Sequence, residues 1–238
     1  MELHIIIDIL ALILAGITNH FFRKKYQLHT LAALPEVHQY SYQLVLIIGL
    51  VLGSVFFGTL NTYVSGVTGL AKSMIGGIAG AILFAEVFKK IIGIKGSTGF
   101  YYIAGLCVLI SVGRIGCFVA GLPDYTYGIP TDSLLGVDFG DGLLRHPVQL
   151  YESFSMAVFL FVLLITYKKH QPFWIHNGFY LFVLFYAGQR FVWEFLKPYA
   201  TVISQFNLFH IVAAFMIAYA IFMLLISSTQ PKDIQKHA

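Results

Sequence analysis

Arg114 lies between two glycines in Ser111-Val-Gly-Arg-Ile-Gly-Cys-Phe118, at the end of a long apolar run. An arginine at the centre of a membrane helix costs about 2.5–3.5 kcal/mol on insertion scales, so it needs a partner and marks a functional site by default. Gly113 and Gly116 leave space for a ligand or another backbone beside it. A second group is His146-Pro-Val-Gln-Leu-Tyr-Glu152. Pro147 suits the first turn of a helix. Gln149 and Glu152 are three apart and Gln149 and Ser153 four apart, so one polar face is expected to point into a bundle. A third is Arg190 with Glu194, four apart and able to pair on one helix face. Asp124, with Tyr125 and Tyr127, follows the Arg114 run, and Lys72 lies one turn before Gly76.

Two arginines at one depth can cradle a phosphate through bidentate, charge-assisted hydrogen bonds, and a phospholipid headgroup is the expected source. Glu194 would then orient Arg190. His146 is the best candidate base, with Asp124 second. Each residue also has a plainer reading. Arg190–Glu194 can be a self-neutralising pair, Lys72 can snorkel to an interface, and His146 can open a helix without doing chemistry. Asp124 can be a solvated loop carboxylate and Cys117 a small buried thiol.

The elements that position these residues are membrane helices. Of 238 residues, 58% are hydrophobic and 11% charged, and the mean hydropathy is +0.79. Soluble domains carry roughly 25% charged residues, so an all-α polytopic membrane protein is expected. Apolar runs at about 4–22, 42–60, 67–89, 99–120, 150–167, 174–196 and 206–226 predict about seven spans within a single membrane domain. The first run has Glu2 and Asp8 and no basic n-region, so it reads as a retained helix rather than a cleaved signal.

Arg23, Lys24 and Lys25, then Lys89, Lys90 and Lys95, then Lys168 and Lys169, then Lys232 and Lys236 alternate with segments holding only Arg145 and Lys197. The positive-inside rule puts the N-terminus outside, residues 121–149 in an outer-face loop, and 227–238 in a cytoplasmic tail. The net charge of +4 therefore reports topology, and no nucleic-acid partner is expected. Cys107 and Cys117 show no metal or redox spacing, so neither metal nor disulfide is expected. Gly49 with Gly53 reads as close helix packing. For Gly76-Gly77 a ligand-facing role stays open.

At these residues the chain resembles the prolipoprotein diacylglyceryl transferase family. Gly113-Arg-Ile-Gly-Cys-Phe118 is similar to its Gly-Arg-hydrophobic-Gly-Asn-Phe signature. Arg145-His-Pro-Val-Gln-Leu-Tyr-Glu152 matches Arg-His-Pro-x-Gln-Leu-Tyr-Glu, and Arg190-Phe-Val-Trp-Glu-Phe195 matches Arg-Phe-x-x-Glu-Phe. Ser73-Met-Ile-Gly-Gly77 looks like Ser-Phe-His-Gly-Gly, and Tyr127-Gly128 is similar to a loop aromatic-glycine pair. Ile75, Cys117, Ala120 and Leu122 stand where the family has polar residues.

The resemblance implies a multi-pass enzyme of the bacterial plasma (inner) membrane. It would move the diacylglyceryl group from phosphatidylglycerol to the lipobox cysteine in the signal-peptide region of a prolipoprotein, without a cofactor. Arg114, Arg190, Glu194 and His146 would be catalytic. Gly113, Gly116, Gly128, Gln149, Tyr151, Glu152, Lys72 and Asp124 would join Arg114 in substrate binding. The alternatives are a diverged member that binds anionic phospholipid without transfer or with another acceptor, and an anionic-solute transporter. Charges gathered at one membrane face, with no inverted repeat, count against the transporter.

Overall fold

The computed structural model describes residues 2–28 and 34–229. Among these, seven α-helices carry the fold: α1 (Glu2–Lys25), α2 (Gln39–Val64), α3 (Met74–Ile91), α4 (Ile103–Ala120), α5 (Val148–Tyr167), α6 (Gln171–Glu194) and α7 (Leu208–Thr229). Two short antiparallel ribbons join them, β1 (Val137–Asp138) with β2 (Leu144–Arg145) and β3 (Thr201–Ile203) with β4 (Phe206–Asn207). Each predicted run coincides with a helix. Five of them, α1, α2, α4, α5 and α7, are long and apolar enough to cross a membrane, so the protein is an all-α polytopic membrane protein. In α3 the charges Glu86, Lys89 and Lys90 fall within only 18 residues. Along α6, His176, Asn177, Gln189, Arg190 and Glu194 dilute the apolar character.

Three features depart from the sequence reading in ways that bear on the site. The third run starts at Met74 rather than 67, because Gly66 and Gly69 take positive φ values of 76° and 128° and Ser73 then caps α3, its Oγ accepting from Gly76 N. Residues 121–149 form more than an open loop. Gly121, at φ 68°, ends α4, Leu122–Asp124 make one 3-10 turn, and β1 and β2 form a hairpin. In that hairpin Asp138 Oδ1 accepts from the backbone of Gly140, Asp141 and Gly142. The exposed Asp141 pairs with Arg145 at 2.7 Å, and that hydrogen bond holds its carboxyl below the usual carboxylate range. At the other end of the chain α7 continues to Thr229, and residues 230–238 of the expected tail, including Lys232 and Lys236, lie outside the described residues.

The helices form two compact units. The first holds α1, α4, α5 and Gln189–Pro198. In it α1 runs antiparallel to α4, with small residues at the crossing: a methyl at Gly105 would meet Ala15 O at 3.0 Å, and one at Gly116 would meet His4 Cδ2 at 3.0 Å. Helices α4 and α5 are tied by reciprocal bonds, Ser111 Oγ to Ser153 O at 3.0 Å and Ser153 Oγ to Ser111 O at 2.8 Å. Phe22, Tyr26 and the fully buried Tyr167 pack with their rings tilted or edge-to-face where the end of α1 meets the end of α5.

The second unit holds α2, α3, α7 and Gln171–Gly188. A methyl at Gly49 would meet Gly80 O at 2.7 Å, and one at Gly76 would meet Gly53 O at 2.7 Å. A methyl at Gly77 would meet Leu50 O at 3.2 Å and Ser54 Cβ at 3.4 Å. Gly76-Gly77 therefore serves helix packing, and its ligand-facing reading gives way to contact with α2. Lys89 is a second correction. Read as a loop charge, it is 3% exposed and pairs with Glu86 at 2.8 Å, which also accepts from Tyr219 Oη at 2.7 Å.

Small residues are the main contact surface between helices in lipid, where apolar side chains gain nothing by leaving the solvent. Replacing Gly80 with valine should push α2 off α3 and cost about 1–3 kcal/mol. The measurement is the thermal unfolding midpoint in detergent. Gly16→Ala, where nothing lies within 4 Å, should leave the midpoint unchanged or slightly raised.

Candidate functional site

Glu152 is fully buried on the face of α5 that also buries Gln149 and Ser153. Three cations reach its carboxylate. Arg114 on α4 places Nε 2.5 Å from Oε2, Arg190 on α6 donates from Nη1 to Oε1, and Lys197 donates from Nζ to Oε1 at 2.7 Å. Arg190 also pairs through Nη2 with Glu194, one turn further along α6. Lys197 Nζ lies 3.6 Å from the same Glu194 oxygen. All five side chains are buried.

The elements that hold this cluster are fixed independently of it. The Ser111–Ser153 bonds set α4 against α5. The end of α6 is tied to the segment after α4, since Leu196 O accepts from Ile129 N at 2.7 Å and Pro198 O accepts from Tyr125 Oη at 3.3 Å. The pairing of Arg190 with Glu194 follows the i,i+4 spacing.

Arg114 was expected to pair with a lipid phosphate rather than a structural carboxylate. The protein supplies it with Glu152, because a buried guanidinium needs a counter-charge. Within this cluster three cations face two carboxylates. Lys197 was read as an outer-loop charge, yet it is 5% exposed. Its backbone N–H bonds to Glu194 O, which turns it back onto the end of α6. Its position three residues after Glu194, at the close of an apolar run, was the available signal.

A second layer adjoins this cluster along α5 and α6. His146 Nδ1 lies 3.3 Å from Tyr151 Oη, and the Tyr151 ring packs on Trp193 at 5.2 Å. The His146 backbone is held on both sides, its N–H bonding to Ile129 O and its carbonyl accepting from Gly128 N. Gly128 is needed for that contact, because a methyl there would meet His146 O at 2.5 Å and Cβ at 2.6 Å. Among the described residues, the side-chain amides of Gln149 and Gln189 and the Trp193 indole N–H find no hydrogen-bond partner. A buried polar group left so costs about 1–3 kcal/mol, which suits donors and acceptors kept for a ligand.

The remaining predicted residues are placed as follows. Gly113 is open, with nothing within 4 Å of an added methyl, whereas Gly116 is filled by His4 and Ile7. Asp124 accepts from Thr126 Oγ1 at 2.5 Å and faces His4 at 3.9 Å. Cys117 is less isolated than a buried apolar thiol, since Arg114 Nη1 approaches it at 3.8 Å and His4 Nε2 at 3.9 Å. Lys72 is exposed and belongs to the second unit, on the segment before α3.

Removing one partner of a buried ion pair costs about 3–5 kcal/mol. Glu152→Gln leaves three cations facing one carboxylate and should lower stability by about that much, read by denaturant unfolding in detergent. Lys197→Met leaves two cations facing two carboxylates and should cost clearly less. Equal losses would show that charge balance is not what holds the cluster.

The motifs quoted above fall inside a longer likeness. The family model for prolipoprotein diacylglyceryl transferase matches residues 7–226. The chain is 32% identical over 172 residues to a protein of Geobacter sulfurreducens, covering 66% of this chain and 63% of that one. It is 31% identical over 187 residues to one of Chlorobaculum tepidum, with coverage of 74% and 62%. It is 29% identical over 221 residues to one of Campylobacter jejuni, with coverage of 81% and 75%. All three are named phosphatidylglycerol–prolipoprotein diacylglyceryl transferase. The chain thus spans a little under two thirds of the length of the first two. No solved structure matches it. With 7–226 matched and Arg114, Glu152, Arg190 and Glu194 gathered in one buried cluster, the chain belongs to the prolipoprotein diacylglyceryl transferase family.

Proposed function

We propose that this protein transfers the diacylglyceryl group of phosphatidylglycerol to the lipobox cysteine of a prolipoprotein at the outer face of the bacterial plasma membrane. The observation that carries this reading is the buried cluster in which Arg114, Arg190 and Lys197 outnumber Glu152 and Glu194 by one charge. The relatives' names support the choice of lipid and acceptor. The loop charges support an N-terminus outside and a cytoplasmic C-terminus.

In the reaction the acceptor thiolate attacks the glycerol carbon that carries the phosphate ester. The carbon–sulfur bond forms, the carbon–oxygen bond breaks, and glycerol phosphate leaves with the electron pair. Arg114 and Arg190 stabilise the charge gathering on that phosphate in a site poor in water, where fixed donors count most. Glu152 and Glu194 hold both guanidinium groups in place beforehand. His146, oriented through its backbone and facing Tyr151, takes the thiol proton. Gln149, Gln189 and Trp193 supply hydrogen bonds to the headgroup hydroxyls.

A second reading, lipid binding with a different acceptor or none, draws on Ile75. The family pattern has a histidine there, but this side chain is apolar and 0% exposed.

Arg114→Ala is the discriminating variant, because Arg190 and Lys197 still balance Glu152 and Glu194 without it. Thioether formation on a lipobox peptide in phosphatidylglycerol vesicles, followed by mass spectrometry, should fall about 10²–10³-fold, the usual loss for one transition-state charge stabiliser. Undiminished transfer would remove Arg114 from the mechanism. Phosphatidylglycerol binding by the unaltered protein, with no thioether formed, would favour the second reading.

A further inference from the structure

One group of side chains has no part in the phosphate cluster. His4 on α1, Cys117 in the last turn of α4 and Asp124 in the 3-10 turn after it each offer one donor atom, and these atoms lie within 4.8 Å of one another. The three come from separate elements of the first unit. Cys117 Sγ lies 3.9 Å from His4 Nε2 and within 4.8 Å of an Asp124 carboxylate oxygen. His4 Nδ1 lies 3.9 Å from Asp124 Oδ1.

Neighbouring residues set this arrangement up. Gly116 admits His4, since a methyl there would meet the ring Cδ2 at 3.0 Å. Thr126 holds Asp124 by Oδ2 and leaves Oδ1 towards His4. Asp8, one turn after His4, places Oδ2 3.6 Å from His4 Nε2. The site is reachable, with the His4 and Asp124 side chains 23% and 15% exposed.

We propose that His4, Cys117 and Asp124 form a binding site for a thiophilic divalent ion of the zinc class. Sulfur, imidazole and carboxylate are the donors zinc takes, and three protein ligands with one open position is the pattern of its reactive sites. Bonds of about 2.0–2.3 Å in a tetrahedron draw donors to about 3.3–3.7 Å, a contraction of about 1 Å that side-chain rotation supplies. The ion's two charges are matched by the Cys117 thiolate and the Asp124 carboxylate, while Arg114 beside them is already matched by Glu152.

If the transferase reading holds, on which this last step rests, the open position suits the acceptor sulfur. The acceptor thiol would bind there as thiolate, its proton passing to His146, the base of the reaction above. The pair on sulfur then forms the carbon–sulfur bond as the carbon–oxygen bond breaks and the phosphate leaves.

The test uses the full chain purified in detergent, stripped with chelator and titrated with Co²⁺ and then Zn²⁺. One Co²⁺ per chain should bind with a sulfur-to-cobalt charge-transfer absorption that Zn²⁺ abolishes. Cys117→Ser should lose that absorption and weaken binding at least tenfold, and His4→Ala should weaken it likewise. Cys107→Ser should keep both, and far-UV circular dichroism reports whether each variant is folded. No bound cobalt, or an absorption that survives Cys117→Ser, overturns the site.

Adding a lipobox peptide should shift the cobalt spectrum as a second sulfur enters. Thioether formation undiminished in the chelator-treated protein overturns the ion's role and leaves the transferase reading standing. Cobalt bound at Cys117 with no transfer in any metal state overturns that reading and leaves the site standing.

Discussion

A carboxylate with no access to water must be surrounded by charges of the opposite sign, and the first unit is arranged around that requirement at Glu152. Its two oxygens take Arg114 from one stretch of chain and Arg190 and Lys197 from another. Each stretch is fixed by contacts that involve no charge, namely the serine pair between α4 and α5 and the backbone bond from Ile129 to Leu196. That order of dependence matters. A cluster assembled only by its own ion pairs would rearrange as a phosphate arrived, because the anion competes for the same donors. Here the backbones hold the guanidinium groups in position, and the carboxylates hold their side chains. Incoming charge then meets donors that need no reorganisation.

The same arrangement explains why so many charges lie in so apolar a chain. Each arginine would be costly if buried alone. Paired, they are tolerated. The second layer has the opposite character. His146, Tyr151 and Trp193 form a neutral wall, and the amides of Gln149 and Gln189 lack protein partners among the described residues.

Sequence patterns carried the helices and most of the cluster, because hydropathy and i,i+4 spacing are local properties. The apolar runs located all seven helices, and the spacing of Arg190 and Glu194 foretold their pairing. Glu152 was legible as a polar face but not as a hub, since nothing local says which cations from other helices arrive there. Lys197 was misread for a related reason. A lysine next to Pro198 at the end of an apolar run looks like a topology marker, and only the turn back onto Glu194 buries it. Lys89 misled similarly, for its partner Glu86 lies one turn away, but burial by α7 through Tyr219 does not show in the sequence. His4 and Cys117 are 113 residues apart, so no spacing rule could join them.

The two glycines of the Arg114 stretch illustrate how one motif divides its duties. Both were read as space beside the arginine. Gly116 spends its missing side chain on α1, whose His4 and Ile7 fill the position, while Gly113 keeps 4 Å of open space around it. Room for a ligand at Arg114 therefore lies on the Gly113 side, and the Gly116 side is closed by the helix that brings His4 to Cys117. Enlarging either residue would disturb the arginine by a different route. Bulk at Gly113 would obstruct what approaches Arg114, whereas bulk at Gly116 would displace α1 and with it the histidine. The signature thus fixes both sides of Arg114 at once, one closed by α1 and one open.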